Sequence, residues 1–324
     1  MKNTSVVAVL ASQGVLIALA LLILFGWLRY DNFLGLFNIS TVLRYNSMFA
    51  LVALGMCFVI MTGGIDLSVG STAALGSVVS ALLSPYGMLV GTLGGVFAGL
   101  CVGVLNGFVI VRLRILPFIA TLAAMLAANG TALLLAKDES VSVSYDSGFT
   151  DLGQNDILNI PIPALIAAAA YIVGSIVLNF TSTGRTVLAI GGNEDASRLM
   201  GLPVNRVKFL VYVVSGGLAG LAGVILASQF GAGQPIEGVG WELFAIASVV
   251  VGGTLLTGGM GSVGATLAGV MLLGLIFNVL NFENGRGFIS LSAYWQSVIR
   301  GVFLLIVVIL QSQLTGRAER TESR

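Results

Sequence analysis

The stretch Phe49-Ala50-Leu51-Val52-Ala53-Leu54-Gly55-Met56-Cys57-Phe58-Val59-Ile60-Met61-Thr62-Gly63-Gly64-Ile65-Asp66-Leu67-Ser68-Val69-Gly70 decides the fold class. Its first part closes an apolar run over 41–61, long enough as a helix to cross a bilayer, for which about 20 residues suffice. The run stops at two adjacent glycines and a carboxylate. A second apolar run rich in small residues then begins and reaches Leu83. Lipid supplies no hydrogen-bond partners, so such an interruption has to be satisfied inside a protein.

Working outward, the composition agrees. Hydrophobic residues make up 57% of the 324 positions and charged residues 9%, where a soluble domain carries about 25% charged. Mean hydropathy is +1.02. Soluble enzyme, disordered regulator and nucleic-acid binder are excluded. Fifteen Lys and Arg stand against fourteen Asp and Glu, a net charge of +1, which gives no general pull towards polyanions. The 43 glycines fit helices packed closely through small residues. The chain has no histidine, which removes the usual general base and the commonest zinc ligand. Cys57 and Cys101 lie in apolar stretches without a second Cys nearby and are read as buried small hydrophobes. No catalytic set, metal site or cofactor is expected.

Further apolar runs cover 9–28, 88–111, 115–136, 163–180, 209–228, 242–256, 263–281 and 291–310. With the two above, they predict about ten membrane-spanning helices. The runs are too long for barrel strands, so the expected fold is an all-α integral membrane protein forming a single domain over 1–324. The first run reads as a retained helix, because Lys2 is its one positive flank and Trp27-Leu28-Arg29-Tyr30 offers no small-residue cleavage site. With the N-terminus inside, Lys2, Arg112, Arg114, Arg185, Arg198, Arg206, Lys208, Arg317, Arg320 and Arg324 are cytoplasmic. Only Arg29, Arg44, Lys137 and Arg286 lie outside. This bias places both termini, and the polar tail 312–324, in the cytoplasm and the acidic loop 137–161 outside. Arg300 falls within the last run and is expected to snorkel towards the outer interface beside Tyr294, Trp295 and Gln296.

The chain also echoes itself. Thr62-Gly63-Gly64-Ile65-Asp66-Leu67-Ser68-Val69-Gly70 aligns with Thr257-Gly258-Gly259-Met260-Gly261-Ser262-Val263-Gly264 after a one-residue gap. Two interrupted segments in corresponding halves point to a transport pathway. Gly63, Gly64, Asp66, Ser68, Gly70, Gly258, Gly259 and Gly261 are the candidate pathway or hinge residues. For Asp66 three readings stand: a cap on the next helix, a functional intramembrane charge, and a hinge without ligand contact.

The polar loop at about 181–208 is the most informative. Asn193 is a helix N-cap candidate, Glu194 and Asp195 suit a first turn, and Arg198 suits a last one. Gly201 can end the helix, and Leu199 and Met200 are apolar anchors on an otherwise polar element. Such a helix docks a soluble partner or lies on the lipid surface.

This loop and the Gly63-Gly64-Ile65-Asp66-Leu67-Ser68-Val69-Gly70 motif resemble the permease subunits of monosaccharide ABC importers, the ribose, xylose and galactofuranose type. Leu116-Pro117-Phe118-Ile119-Ala120-Thr121-Leu122, Ser215-Gly216-Gly217-Leu218-Ala219-Gly220-Leu221-Ala222-Gly223 and Ala245-Ile246-Ala247-Ser248-Val249-Val250-Val251-Gly252-Gly253-Thr254 extend the resemblance over about 43–310. Glu237-Gly238-Val239-Gly240-Trp241-Glu242-Leu243 and Asn281-Phe282 lean towards galactofuranose permeases. The resemblance implies a bacterial inner-membrane subunit that forms the path for a sugar delivered by a periplasmic binding protein. It implies a second permease, of the same or another chain, and a cytoplasmic ATPase. It makes Asn193, Glu194, Asp195, Ala196, Ser197, Arg198, Leu199, Met200 and Gly201 the helix that couples to that ATPase. Consistently, the chain has no Gly-x-x-x-x-Gly-Lys-Ser/Thr phosphate loop of its own.

Polar side chains within the runs, Asn106, Thr121, Asn129, Ser215, Ser248, Thr254 and Asn278, are candidate sugar contacts along the path or helix–helix hydrogen bonds. Two alternatives of other kinds remain: an ion-coupled secondary transporter with Asp66 as its carboxylate, and an ABC permease for branched-chain amino acids or nucleosides.

Overall fold

A computed structural model describes residues 6–285 and, beyond them, 295, 298, 299, 301 and 302. The expected last span at 291–310, the tail 312–324, and Lys2, Arg286, Arg300, Arg317, Arg320 and Arg324 are outside the described residues or fall in stretches that largely are. The chain is an all-α integral membrane protein. Among the described residues, seven helices are long and apolar enough to cross a membrane.

Helices α1 (Val6–Arg29), α2 (Leu36–Met61), α3 (Val69–Leu83), α4 (Met88–Arg112) and α5 (Pro117–Ala136) come first. Pro117 opens α5, where its missing N–H is not needed. A short strand β1 (Val141–Ser142), a one-turn helix α6 (Asp151–Gln154) and strands β2 (Asp156–Ile157) and β3 (Ile160–Pro161) follow. Then come α7 (Ile162–Phe180), α8 (Ser182–Gly192), α9 (Glu194–Leu199), α10 (Val204–Phe230), β4 (Ala232–Gly233), α11 (Trp241–Val251) and α12 (Val263–Gly285). Strands β2 and β3 form a tight hairpin, while β1 pairs antiparallel with the distant β4, Val141 opposite Gly233.

Helix α2 is central, buried without interruption from Asn46 to Met61 apart from Phe49. Helix α10 packs on α4 through glycines. A Cβ on Gly99 would stand 2.7 Å from the Gly220 Cα, and one on Gly103 would stand 2.9 Å from the Val213 Cα. Backbones this close require small residues at the crossing. The other face of α4 turns outward, which corrects one expectation. Cys57 is buried, but Cys101 is exposed, because it lies on a face of α4 turned away from the rest of the described chain.

One end of the bundle gathers the segments expected outside. Arg29 reaches Glu283 at 3.4 Å and Tyr30 donates to Glu283 at 2.7 Å. Arg44 donates to the Gly153 carbonyl and to Asp156, both at 2.6 Å. The Ser144 N–H donates to the Ser84 hydroxyl at 2.8 Å, pinning the loop to the end of α3. Helices α8 and α9 occupy the opposite end, between α7 and α10.

The two segments of the internal echo share the form of their helix ends and starts, with the glycine stop shifted in register. Gly63 N–H donates to Ile60 O at 2.8 Å and Gly64 N–H to Val59 O at 3.2 Å, closing α2. Gly253 N–H donates to Val250 O at 2.8 Å and Thr254 N–H to Val249 O at 3.2 Å, closing α11 in the same way. Gly63 and Gly253 both have positive φ, 77° and 85°, the left-handed stop that glycine takes easily. In the form of its helix stop Thr62-Gly63-Gly64 matches Gly252-Gly253-Thr254 rather than Thr257-Gly258-Gly259, a stop that Gly201 also makes after α9. The helix starts do align as expected. Ser68 O accepts from Thr72 N–H at 2.8 Å and Ser262 O from Thr266 N–H at 3.0 Å. The second turn, 252–262, is thus four residues longer than the first, 62–68. The expected span 242–256 accordingly ends early, at Val251, because the two glycines terminate it.

Candidate functional site

The first turn lies inside the bundle. Asp66 is 1% exposed. One of its oxygens accepts from the Ser68 N–H at 3.0 Å and the Ser68 hydroxyl at 2.6 Å; the other accepts from Ser215 at 3.0 Å. Asn106 donates to the Ser68 hydroxyl at 2.9 Å, and Thr121 donates to Ile65 O at 3.3 Å. Helices α4, α5 and α10 thus each contribute one side chain to hold the break. Ser215 lies about 9 Å along α10 from Phe209, where its apolar part begins, at 1.5 Å per residue, so the turn is held within the bundle rather than at its surface. Asp66 itself is not the N-cap of α3. That position is Ser68, and Asp66 supports it from two residues upstream.

Of the other polar candidates, Ser248 is fully buried and donates to the Phe244 carbonyl of its own helix at 2.8 Å. Thr254 is also fully buried. Asn278 and Asn38 exchange hydrogen bonds at 2.8 and 3.2 Å, joining α12 to α2. Asn129 is half-buried on α5. Gly70 faces Gly238 and the Glu242 carboxylate, leaving no room for a side chain.

The two turns meet. The Gly259 N–H donates to the Met61 carbonyl at 3.0 Å. A Cβ on Gly258 would stand 2.7 Å from the Gly63 amide nitrogen, and one on Gly261 would stand 2.7 Å from Met61 Cγ. Gly191, in the last turn of α8, abuts the same place. The sequence reading missed α8, because its few apolar residues, Val187 and Ile190 among them, are too sparse for a span. The signal was the Thr181 cap, whose hydroxyl accepts from the Gly184 N–H at 3.2 Å.

Helix α9 follows directly. The Asn193 side chain accepts from the Ala196 N–H at 2.8 Å, and Gly201 takes φ 79° beyond its C-terminus. Arg198 and Lys208 donate to Glu194 at 2.7 and 2.8 Å, the second tying α9 to α10. Partial burial opposes the charged form of Glu194. The hydrogen bonds and charges of Lys208 and Arg198 outweigh it and hold the carboxyl below its ordinary range. Leu199 and Met200 are 89% and 69% exposed at the tip. This is a small, fixed, apolar-tipped element on one end of a membrane bundle. Among the described residues no three Cys, Asp or Glu side chains gather to hold a metal ion.

The chain is 35% identical to the ribose import permease protein RbsC of Haemophilus influenzae, over 97% of both chains. It is 37% identical to RbsC of Bacillus subtilis, over 93% of both. It is 36% identical to the L-arabinose transport system permease protein AraH of Escherichia coli, over 95% of this chain and 92% of that one. No solved structure matches it. The profile described as branched-chain amino acid transport system / permease component matches residues 38–308. With most of its length so matched, the chain belongs to that family of transport permeases.

Proposed function

We propose that this protein is the membrane-spanning permease subunit of an ATP-driven sugar importer, and that it forms the path for a monosaccharide. The relatives named for ribose and arabinose support the sugar class over the amino acids in the family's description. A bacterial inner membrane is the fitting location, with both termini and the 181–208 loop cytoplasmic. One domain carries the whole function, a cytoplasmic ATPase drives it, and a periplasmic binding protein delivers the sugar to the end carrying the 137–161 loop. A second permease completes the path.

The carrying observation is α9, capped by Asn193, tethered by Glu194 to Lys208, and presenting Leu199 and Met200 to solvent. In this reading Asn193–Gly201 seats in the ATPase, and closure of the ATPase dimer moves it. The Gly-rich turns at 63–70 and 258–261 are the hinges. Asn106 and Thr121 hold the first hinge, and Asn129, half-buried on α5, stays a candidate for touching sugar. The galactofuranose lean rests on 237–243 and on Asn281-Phe282 alone.

The test is co-purification from mild detergent with a cytoplasmic ATPase. Leu199→Asp with Met200→Asp should abolish association while membrane insertion stays normal; Glu194→Arg or Gly201→Trp should uncouple transport. Undiminished association of the double variant would refute the docking assignment. Uptake of labelled galactofuranose, ribose, arabinose and leucine then separates the substrates.

A further inference from the structure

Three backbones converge at Gly191. A Cβ there would fall on the Met61 carbonyl oxygen and on the Gly259 amide nitrogen. Those atoms are the acceptor and donor of the 3.0 Å hydrogen bond joining the two turns. Gly258 crowds Gly63 and Gly191, and a Cβ on Gly259 would stand 2.9 Å from the Gly192 amide nitrogen. Both Gly258 and Gly259 have positive φ, 87° and 80°, which side chains resist. Side chains absorb small displacements by changing rotamer. Backbone packed on backbone has no such freedom, and close-packed interiors pass displacement on. Asn193, only two residues beyond Gly191, caps α9.

We propose that Gly191 is a positioning residue that transmits movement of α9 to the Gly259–Met61 contact, so that the end of α2 and the start of α12 move together. The extra residues of the second turn supply the reach, since they include the Gly258-Gly259 pair that meets α8. The proposal rests on the reading of α9 as the ATPase-docking helix. Its neighbour supplies a control. A Cβ on Gly192 would meet nothing within 4 Å.

The experiment uses the full chain in complex with its ATPase, reconstituted in vesicles with the binding protein. Gly191→Ala should keep the ATPase bound and hydrolysing ATP within about twofold, while transport falls about tenfold, within the usual range of coupling between sites. Gly192→Ala should transport normally. Wild-type transport by Gly191→Ala, or equal loss in both variants, overturns the proposal. A second measurement needs neither variant. Spin labels at Asp195 and Met260 should keep their separation on ATP binding, within about 2 Å, while an Asp195–Asp138 pair changes. A change at Asp195–Met260 as large as at Asp195–Asp138, or no change in either, also overturns it. Failure of the docking reading looks different. The ATPase then stays bound to the Leu199→Asp, Met200→Asp chain, whereas failure of the junction alone leaves that loss intact.

Discussion

The Ser215 hydroxyl donates to Asp66 at 3.0 Å, tying the middle of α10 to the break before α3. The carboxylate serves three donors in all, from Ser68 and Ser215. Asp66→Asn keeps one acceptor oxygen for Ser68 and should be mild in both stability and transport. Asp66→Ala strands buried donors and should cost about 1–3 kcal/mol, read as a lowered melting temperature in detergent. Loss of transport by Asp66→Asn at normal stability would instead mark the charge as functional.

Asn278, a candidate for the path, exchanges hydrogen bonds with Asn38 instead. Alanine at either position should lower stability, and the double variant should lose less than the sum. The coupling should lie in the range of about 0.5–3 kcal/mol seen for residues in contact. Sugar dependence of transport should be unchanged; a raised half-saturation concentration would return Asn278 to the path.

The glycine seam between α4 and α10 sets a third expectation. Gly99→Val or Gly103→Val must push apart backbones separated by less than a side chain. Overpacking of this kind costs about 1–3 kcal/mol. Both variants should melt lower in detergent, while Gly130→Val, where a Cβ would meet nothing within 4 Å, should not.

Helix α9 has six residues, too few to persist alone, so its order depends on its cap and its pairs. Asn193→Ala should cost about 1 kcal/mol locally. Glu194→Gln should cost less, since partly exposed pairs are worth roughly 0–1 kcal/mol. Both are readable as faster amide exchange across 194–199. Because the Glu194 carboxyl is held below its ordinary range, its contribution is complete above the unfolded value of about 4.3. It is lost only as pH falls through the lowered folded value. Protection of α9, corrected for intrinsic exchange, should therefore be flat from neutrality to about pH 5 and should fall below the ordinary carboxylate range.

Helix boundaries were legible wherever composition changes sharply. The run 88–111 became Met88–Arg112, and 163–180 became Ile162–Phe180. Helix α10 begins at Val204 rather than 209 because its first turn, with Asn205, Arg206 and Lys208, projects past the apolar zone. The Asn193 cap and the Gly201 stop were local, and so readable. The Ser215–Asp66 bond was not, since 149 positions separate the partners and a hydroxyl on an apolar helix gives no sign of its direction. The register of the echo misled for a related reason. Thr-Gly-Gly recurs in letters at 257–259, but the hydrogen bonds that end the helix recur at Gly252-Gly253-Thr254.

The unequal length of the two turns has a consequence for how the halves respond. A second turn as short as the first would lack the Gly258-Gly259 pair that meets α8. Here the longer loop touches α8 and also holds the end of α2 through the Gly259–Met61 bond. Since Gly191 also meets the Met61 carbonyl directly, one substitution at that position bears on both turns at once.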